Sequence, residues 1–372
     1  MLIGVTKEIK VHEYRVGLLP GSVRELIAHG HEVLVETGAA AAIGFSDRNY
    51  TDTGARIAPS AEAVFAAAEM IVKVKEPQPG ERALLRPGQV LFTYLHLAPD
   101  PDQTRDLLAG GATCIAYETV TSPHGGLPLL APMSEVAGRM AIQAGAHCLE
   151  KEQGGMGILL GGVPGVAPAG IAIIGGGVVG RNAAQIAIGM GARVTVIDRS
   201  VDVLRDLDRQ FGARLRTAYA TQHAVDEHVT AADLVIGAVL IPGAAAPKLV
   251  SADLVRRMKA GAVVVDVAID QGGCFETSHP TTHSDPTFTV DGVIHYCVAN
   301  MPGAVPHTST FALNNATLPY VLALADKGLH KAMAADPFLR QGLNVHAGKL
   351  TNAAVATTLK LPYVDAKTAL AV

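Results

Sequence analysis

Residues 170–198 read GIAIIGGGVVGRNAAQIAIGMGARVTVID, and this stretch decides the fold. Ile171 to Ile174 is a short apolar run suited to a buried parallel strand. Gly175, Gly177 and Gly180 then supply G-x-G-x-x-G. Asn182 to Met190 predicts a helix rich in Ala and Ile. Arg193 to Ile197 predicts a second strand, closed by Asp198. Each part has a physical use in a dinucleotide-binding βαβ unit. Gly175 allows the tight turn, Gly177 lets a pyrophosphate approach a backbone without Cβ, and Gly180 lets the helix pack close to the sheet. The helix N-terminus offers N–H groups and a positive dipole end to phosphates. Asp198 stands where a carboxylate accepts from ribose hydroxyls and repels a 2′-phosphate, which points to NAD. Its neighbour Arg199 leaves acceptance of that phosphate open. With 39 Gly in the chain the glycine spacing alone is weak, and the flanking strands, helix and acid give it weight.

Downstream the alternation continues. Val201 to Gln210 predicts a helix, Arg214 to Ala218 a strand, Asp233 to Ala238 a strand and Ser251 to Met258 a helix. The strand beginning at Ala262 ends in VVVDVAID at Asp270, before Gln271-Gly272-Gly273, and Val293 to Ala299 is a further strand. Five or six strands alternating with helices over 170–300 predict a doubly wound sheet.

The N-terminal part repeats the pattern. Strands are expected at Leu2 to Val5, Glu32 to Glu36, Met70 to Val74, Val90 to Tyr94 and Ala112 to Ala116. Helices are expected at Ser22 to His29, Ala61 to Glu69 and Asp102 to Leu108. Lys7 to Pro20 is too polar for a core segment. Ligands gather beyond the carboxyl ends of strands in such sheets, and Lys75 and His96 each follow a strand there. Met133 to Glu150 predicts one long helix with Ser134 as N-cap. A second long helix is expected over Ser309 to Asp326. The fold class is therefore α/β, with two Rossmann-like, mainly parallel sheets.

Composition narrows the function. With 372 residues, 49% hydrophobic and 17% charged, the chain has material for two packed domains. The net charge of −4 and the lack of a Lys/Arg run argue against nucleic acid as partner. Cys114, Cys148, Cys274 and Cys297 are far apart and form no C-x-x-C, so buried reduced thiols in a cytoplasmic protein are expected. The uncharged segment 154–180 holds eleven Gly and two Pro, a poor membrane helix, so no membrane partner is expected. Glu118, His283 and Asp285 lack short-range ligand spacing, and no metal site is expected.

The segments EYRVGLLP, KVKEP, VLFTYLHLAPD, APMSEVAGRMAIQAGA, DVAIDQGGCFETSHPTTHSDP and HYCVANMPGAVPHTST, taken with the glycine motif, closely resemble the alanine dehydrogenase family. They match in order over most of the chain. The wider family includes the NAD-binding subunit of proton-translocating transhydrogenase. The resemblance implies NAD-dependent interconversion of L-alanine with pyruvate and ammonium, a hexamer, and a cleft between two domains. It implies a discontinuous substrate domain, 1–127 plus 305–372, around an NAD-binding domain, 128–304. It places substrate binding on Arg15 and Lys75 and catalysis on His96 and Asp270. Cofactor contacts carry over to Ser134, Val178, Val179, Asp198, Val239, Leu240, Val267, Asn300 and Met301, with Val298 beside them. Val203, Ala220 and His279 depart from the family's pattern, which has a basic residue, Ser and Arg there.

Reductive amination explains those residue types. A planar guanidinium, Arg15, matches a carboxylate. A second cation, Lys75, stabilises charge on a keto oxygen. An imidazole, His96, suits proton transfer near neutrality. A carboxylate, Asp270, can hold ammonium and a developing iminium. A transhydrogenase-like NAD-binding subunit is the alternative. It requires no amino-acid site, and the joint presence of these four residues argues against it.

Overall fold

Strand β1 (Leu2–Val5) is an interior strand of the first sheet. It is followed by α1 (Pro20–Ala28), β2 (Glu32–Glu36), β3 (Arg56–Ala58), α2 (Ala61–Ala67), β4 (Met70–Val72), β5 (Val90–Thr93), α3 (Pro101–Gly110) and β6 (Thr113–Ala116). Helix α4 (Ala131–Cys148) leads to β7 (Gly170–Ile174), α5 (Val178–Gly189), β8 (Arg193–Asp198), α6 (Val201–Phe211), β9 (Leu215–Tyr219) and α7 (Gln222–Ala231). Then come β10 (Leu234–Gly237), α8 (Ala252–Arg256), β11 (Val263–Asp266), β12 (Thr287–Val290) and β13 (Val293–Tyr296). The chain ends with α9 (Pro306–Lys327), β14 (Leu343–His346), β15 (Lys349–Leu350) and short helices. These elements come from a computed structural model that describes residues 1–239 and 246–371.

The chain divides into two compact units. One is Met1–Met133 with Val305–Val372, and the other is Ser134–Ala304. The first holds a sheet of order β15-β14-β6-β5-β4-β1-β2-β3, and the second a sheet of order β12-β13-β11-β10-β7-β8-β9. Strands β1–β6 are mutually parallel, and so are β7–β11 with β13. Each unit therefore carries the doubly wound 3-2-1-4-5-6 order, with a switch point between β1 and β4 in one and between β7 and β10 in the other. Antiparallel β14 and β12 extend the two sheets.

The cores follow from continuous apolar strands covered by helices on both faces. Ile71, Leu91, Phe65, Leu107 and Cys114 pack together in the first unit, and Ile197, Val229, Val235, Leu254 and Phe275 in the second. All four cysteines are free and buried. Helix α9 is tied into the first unit by buried Asn314. Its Oδ1 accepts the Leu19 N–H at 2.7 Å and the Ser22 hydroxyl at 3.0 Å. No described helix is long and apolar enough to cross a membrane.

Three expectations are corrected. The segment 7–20 is not excluded from the core: Glu8, Glu13 and Arg15 are all buried, because each charge is paired there. Ser134 is not an N-cap, because α4 starts at Ala131-Pro132 and takes Ser134 into its first turns. The strand expected to run to Asp270 ends at Asp266, and Asp270 sits on a 3-10 turn, Ile269–Gln271.

Candidate active site

In the first unit the carboxyl ends of β1, β4, β5 and β6 gather the charged residues. Arg15 follows β1, and its side chain is 2% exposed. Its Nε and Nη2 donate to Glu13 Oε1 and Oε2 at 2.7 and 2.6 Å, and Nη1 points at Met133 Sδ at 2.9 Å. Burial alone would depress the guanidinium, but its pairing with Glu13 outweighs this and raises it above its ordinary value.

Lys75, half-buried, follows β4. Its carbonyl accepts the Thr93 hydroxyl from the end of β5 at 2.9 Å, so the backbones of Lys75 and of the strand leading to His96 are pinned side by side. The Tyr94 N–H bonds to the Val74 carbonyl at 3.2 Å. Lys73, between them and fully buried, pairs with Glu81 at 2.7 Å and Glu8 at 3.2 Å. Burial opposes its charge, but the two carboxylates overcome this and hold the ammonium above its usual range.

His96 stands on a left-handed backbone, φ +50°, unusual for a residue other than Gly. The Glu118 carboxylate, from the 3-10 turn after β6, holds that conformation. Its Oε1 accepts the His96 N–H at 2.6 Å, and both oxygens accept the Leu95 N–H at 3.2 Å. The imidazole stacks on Tyr94 with ring centroids 5.8 Å apart and planes 6° from parallel. Tyr94 is buried, and burial pushes its hydroxyl far above the ordinary phenol range. Glu8, Glu13 and Lys73 escaped the sequence reading, which named Glu118 only as lacking metal-ligand spacing. The signal was present in acidic residues two positions before Arg15 and seven before it, inside a segment read as solvent-exposed.

In the second unit the turn after β7 has the geometry its glycines imply. Gly175 has φ +102°, and a Cβ on Gly180 would lie 1.8 Å from the Gly175 carbonyl oxygen. Gly177 is the N-cap of α5, no side chain caps that helix, and a Cβ on Gly177 would meet nothing within 4 Å. Open space over a bare helix N-terminus fits a phosphate-bearing dinucleotide. Val178 is exposed and Val179 buried in the first turn. Asp198 ends β8, with Oδ2 accepting the Gly176 N–H and Oδ1 the Ser200 N–H, both at 2.7 Å. Each oxygen keeps a second lone pair, so the oriented carboxylate retains acceptors for a ribose.

The remaining candidates line the carboxyl edge of the same sheet. Val239 follows β10, Val267 follows β11, and Val298, Asn300 and Met301 follow β13. Asn300 has φ +61°, and its carbonyl lies 3.2 Å from His283 Nε2. Leu240 lies outside the described residues. Asp270 is exposed, on a turn clamped from behind by two groups. Buried Asp266 accepts the Cys274 and Phe275 N–H groups at 2.9 and 3.3 Å, and Lys248 donates to the Phe275 carbonyl at 2.9 Å. Of the departures, Val203 packs over the glycine turn, since a Cβ on Gly176 would lie 2.7 Å from its Cγ1. His279 stacks on Phe288 at 3.7 Å.

Two family models account for this arrangement. The alanine dehydrogenase/PNT N-terminal domain matches residues 4–137, and the alanine dehydrogenase/PNT C-terminal domain matches residues 141–353. The chain belongs to the alanine dehydrogenase/PNT family. Alanine dehydrogenase of Halomonas elongata is 61% identical over 366 residues, 98% of this chain and 99% of that one. Alanine dehydrogenase of Bacillus subtilis is 55% identical over 371 residues, 100% of this chain and 98% of that one. A solved L-alanine dehydrogenase superposes with a TM-score of 0.94 at 53% identity, over 97% of this chain and 99% of that one. A transhydrogenase from Sinorhizobium meliloti, 24% identical with a TM-score of 0.80, shares the fold. Arg15, Lys75 and His96 lie on the first unit, and the glycine turn, Asp198 and Asp270 on the second.

Proposed function

We propose that this protein is an NAD-dependent L-alanine dehydrogenase, converting L-alanine to pyruvate and ammonium and catalysing the reverse reductive amination. The observation that carries the reading is the joint placement of two cations and an imidazole at one sheet edge. Lys75 and His96 follow adjacent strands stitched together through Thr93 and Tyr94, with Arg15 buried after β1. The unit of residues 1–127 and 305–372 binds substrate, and 128–304 binds NAD.

The assigned roles follow from chemistry. Arg15, whose guanidinium plane is oriented by Glu13, holds the pyruvate carboxylate. The Lys75 ammonium stabilises charge on the keto oxygen. His96 moves protons as the carbinolamine forms and loses water. Asp270 holds ammonium and the iminium. Gly175, Gly177, Gly180, Val178 and Val179 hold the pyrophosphate. Asp198 holds the adenine-side ribose, and Ser134, Val239, Leu240, Val267, Val298, Asn300 and Met301 line the rest of the cofactor. The bound nicotinamide supplies the hydride. Family membership supports a cytoplasmic homohexamer, to be checked by light scattering.

The experiment is NADH absorbance with purified protein, pyruvate and ammonium, with NADPH and glyoxylate alongside. NADH oxidation that requires both pyruvate and ammonium supports the reading. NADH binding without turnover would reject it.

A further inference from the structure

We infer that Glu8 is a positioning residue for Lys75, acting with Lys73 and Glu81 as a buried three-charge strut at the switch point of the first sheet. The inference rests on Lys75 being a substrate-binding cation.

The strut begins where a ladder ends. Strands β1 and β4 are paired in parallel as far as Val5 opposite Val72. Past that point the N–H groups of residues 74 and 75 need an acceptor that β1 no longer provides. The Glu8 side chain takes the place of the missing strand. Its Oε1 accepts the Val74 N–H at 2.7 Å and lies 3.3 Å from the Lys75 N. Its Oε2 faces Lys73 Nζ at 3.2 Å. Lys73 Nζ also reaches Glu81 Oε1 at 2.7 Å and Thr6 Oγ1 at 3.3 Å. Glu81 Oε2 in turn accepts the Gln78 N–H at 2.8 Å. The two carboxylates therefore hold both ends of segment 74–78, and Lys73 holds the two carboxylates.

The other side of the segment is fixed as well. Tyr117 donates its hydroxyl to the Lys73 carbonyl at 3.0 Å, and Thr93 to the Lys75 carbonyl at 2.9 Å. With both faces bonded, the backbone of Lys75 is fixed. The side chains of Lys73, Glu8 and Glu81 are 0%, 2% and 4% exposed. Three buried charges are costly to desolvate, and well-packed apolar residues of like volume commonly replace such groups without loss of stability. What apolar residues cannot do is receive two successive backbone N–H groups. That is the work Glu8 performs on the residue proposed to bind substrate. A cation meant to meet a keto oxygen loses its effect when displaced by an ångström.

The test is a double-mutant cycle between Glu8→Gln and Lys75→Ala. Glutamine has one oxygen where Glu8 uses two, and with that oxygen turned to the Lys73 ammonium its NH2 group faces the Val74 and Lys75 N–H groups, which it cannot accept. The probe is oxamate, a pyruvate analogue, binding to the NADH-loaded full-length enzyme, read by NADH fluorescence. Steady-state kcat and KM for pyruvate are read beside it. Glu8→Gln should weaken oxamate about tenfold when Lys75 is present and less than about twofold when Lys75 is Ala, with NADH affinity unchanged. Equal losses in both backgrounds would show that Glu8 does not act through Lys75 and would overturn the inference. If Lys75→Ala binds oxamate and turns over like the parent, the reading of Lys75 itself fails and the inference falls with it. If Glu8→Gln does not fold, Glu8→Asp keeps the charge facing Lys73 while withdrawing the oxygen from Val74 and Lys75. A folded Glu8→Asp enzyme with parental oxamate affinity would equally overturn the proposal.

Discussion

The Glu118 carboxylate accepts the backbone N–H of His96 at 2.6 Å and lies 3.9 Å from the Nδ1 of the same residue. One side chain thus fixes both the left-handed backbone and the surroundings of the proposed proton carrier. A left-handed conformation at a residue with a Cβ costs roughly 1–2 kcal/mol, and a charge-assisted hydrogen bond of about 1.5–3 kcal/mol offsets it. Replacing Glu118 by Ala should therefore lower kcat by about ten- to a hundredfold. Glu118→Gln, which keeps an acceptor, should lose less. NADH affinity should not change in either variant. Parental kcat in Glu118→Ala would separate Glu118 from His96 function.

The glycine turn offers a sharper contrast. A Cβ at Gly177 meets nothing within 4 Å, whereas one at Gly180 would lie 1.8 Å from a carbonyl oxygen. Gly177→Ala should fold with parental thermal stability yet bind NADH at least about tenfold more weakly, because its methyl group takes the space of the pyrophosphate. Gly180→Ala should lose both stability and binding. Titrating NADH fluorescence and melting the two variants checks this. Unimpaired NADH binding in Gly177→Ala would remove the phosphate from that turn.

The strand–turn–helix order was legible because periodicity and glycine spacing act locally. Leu2–Val5 and Glu32–Glu36 lie where alternation put them. Arg56–Ala58, Thr287–Val290 and Leu343–His346 were not legible as strands. They are short, and their pairing is decided by neighbours distant in sequence: β14 lies beside β6 across more than 200 residues. The same limit hid Glu8 and Glu13. Read alone, a charged stretch is solvent-exposed. Only the fold brings Lys73 to Glu8 and buries the local pair of Glu13 and Arg15. The 3-10 turn that carries Asp270 was not legible, because it is set by Asp266 reaching forward to the Cys274 and Phe275 N–H groups.

Buried His295 gives the second unit a pH dependence. Its Nδ1 lies 3.0 Å from the Val293 carbonyl and its Nε2 2.7 Å from Thr277 Oγ1, while exposed His279 stands across Phe288. Burial lowers its pKa below the ordinary histidine value, and His279 adds to the lowering. The unfolded chain then binds the proton first as pH falls. The contribution to stability is complete above about pH 6.5 and is lost on acidification through the lower, folded-state value. Melting temperature should fall between pH 7 and pH 5, and His295→Gln should flatten that slope. An identical slope in the variant would place the acid sensitivity elsewhere.

Arg15 is the residue whose conservative replacement should be least tolerated. Glu13 engages Nε and Nη2 together, which orients the guanidinium plane. Lysine has neither the plane nor the fork. Arg15→Lys would break the bidentate contact to Glu13 and the one proposed for substrate in the same step. The paired carboxylate of Glu13 would then be left buried against a single point charge. Losing a bidentate charge-assisted contact of about 1.5–3 kcal/mol should raise the pyruvate KM by roughly ten- to a hundredfold. NADH affinity should be untouched, because Asp198 and the glycine turn belong to the other unit. Initial rates at saturating NADH and ammonium, with pyruvate varied, measure this directly. An unchanged KM would mean that the carboxylate is held by another cation, and Lys75 would be the next to replace.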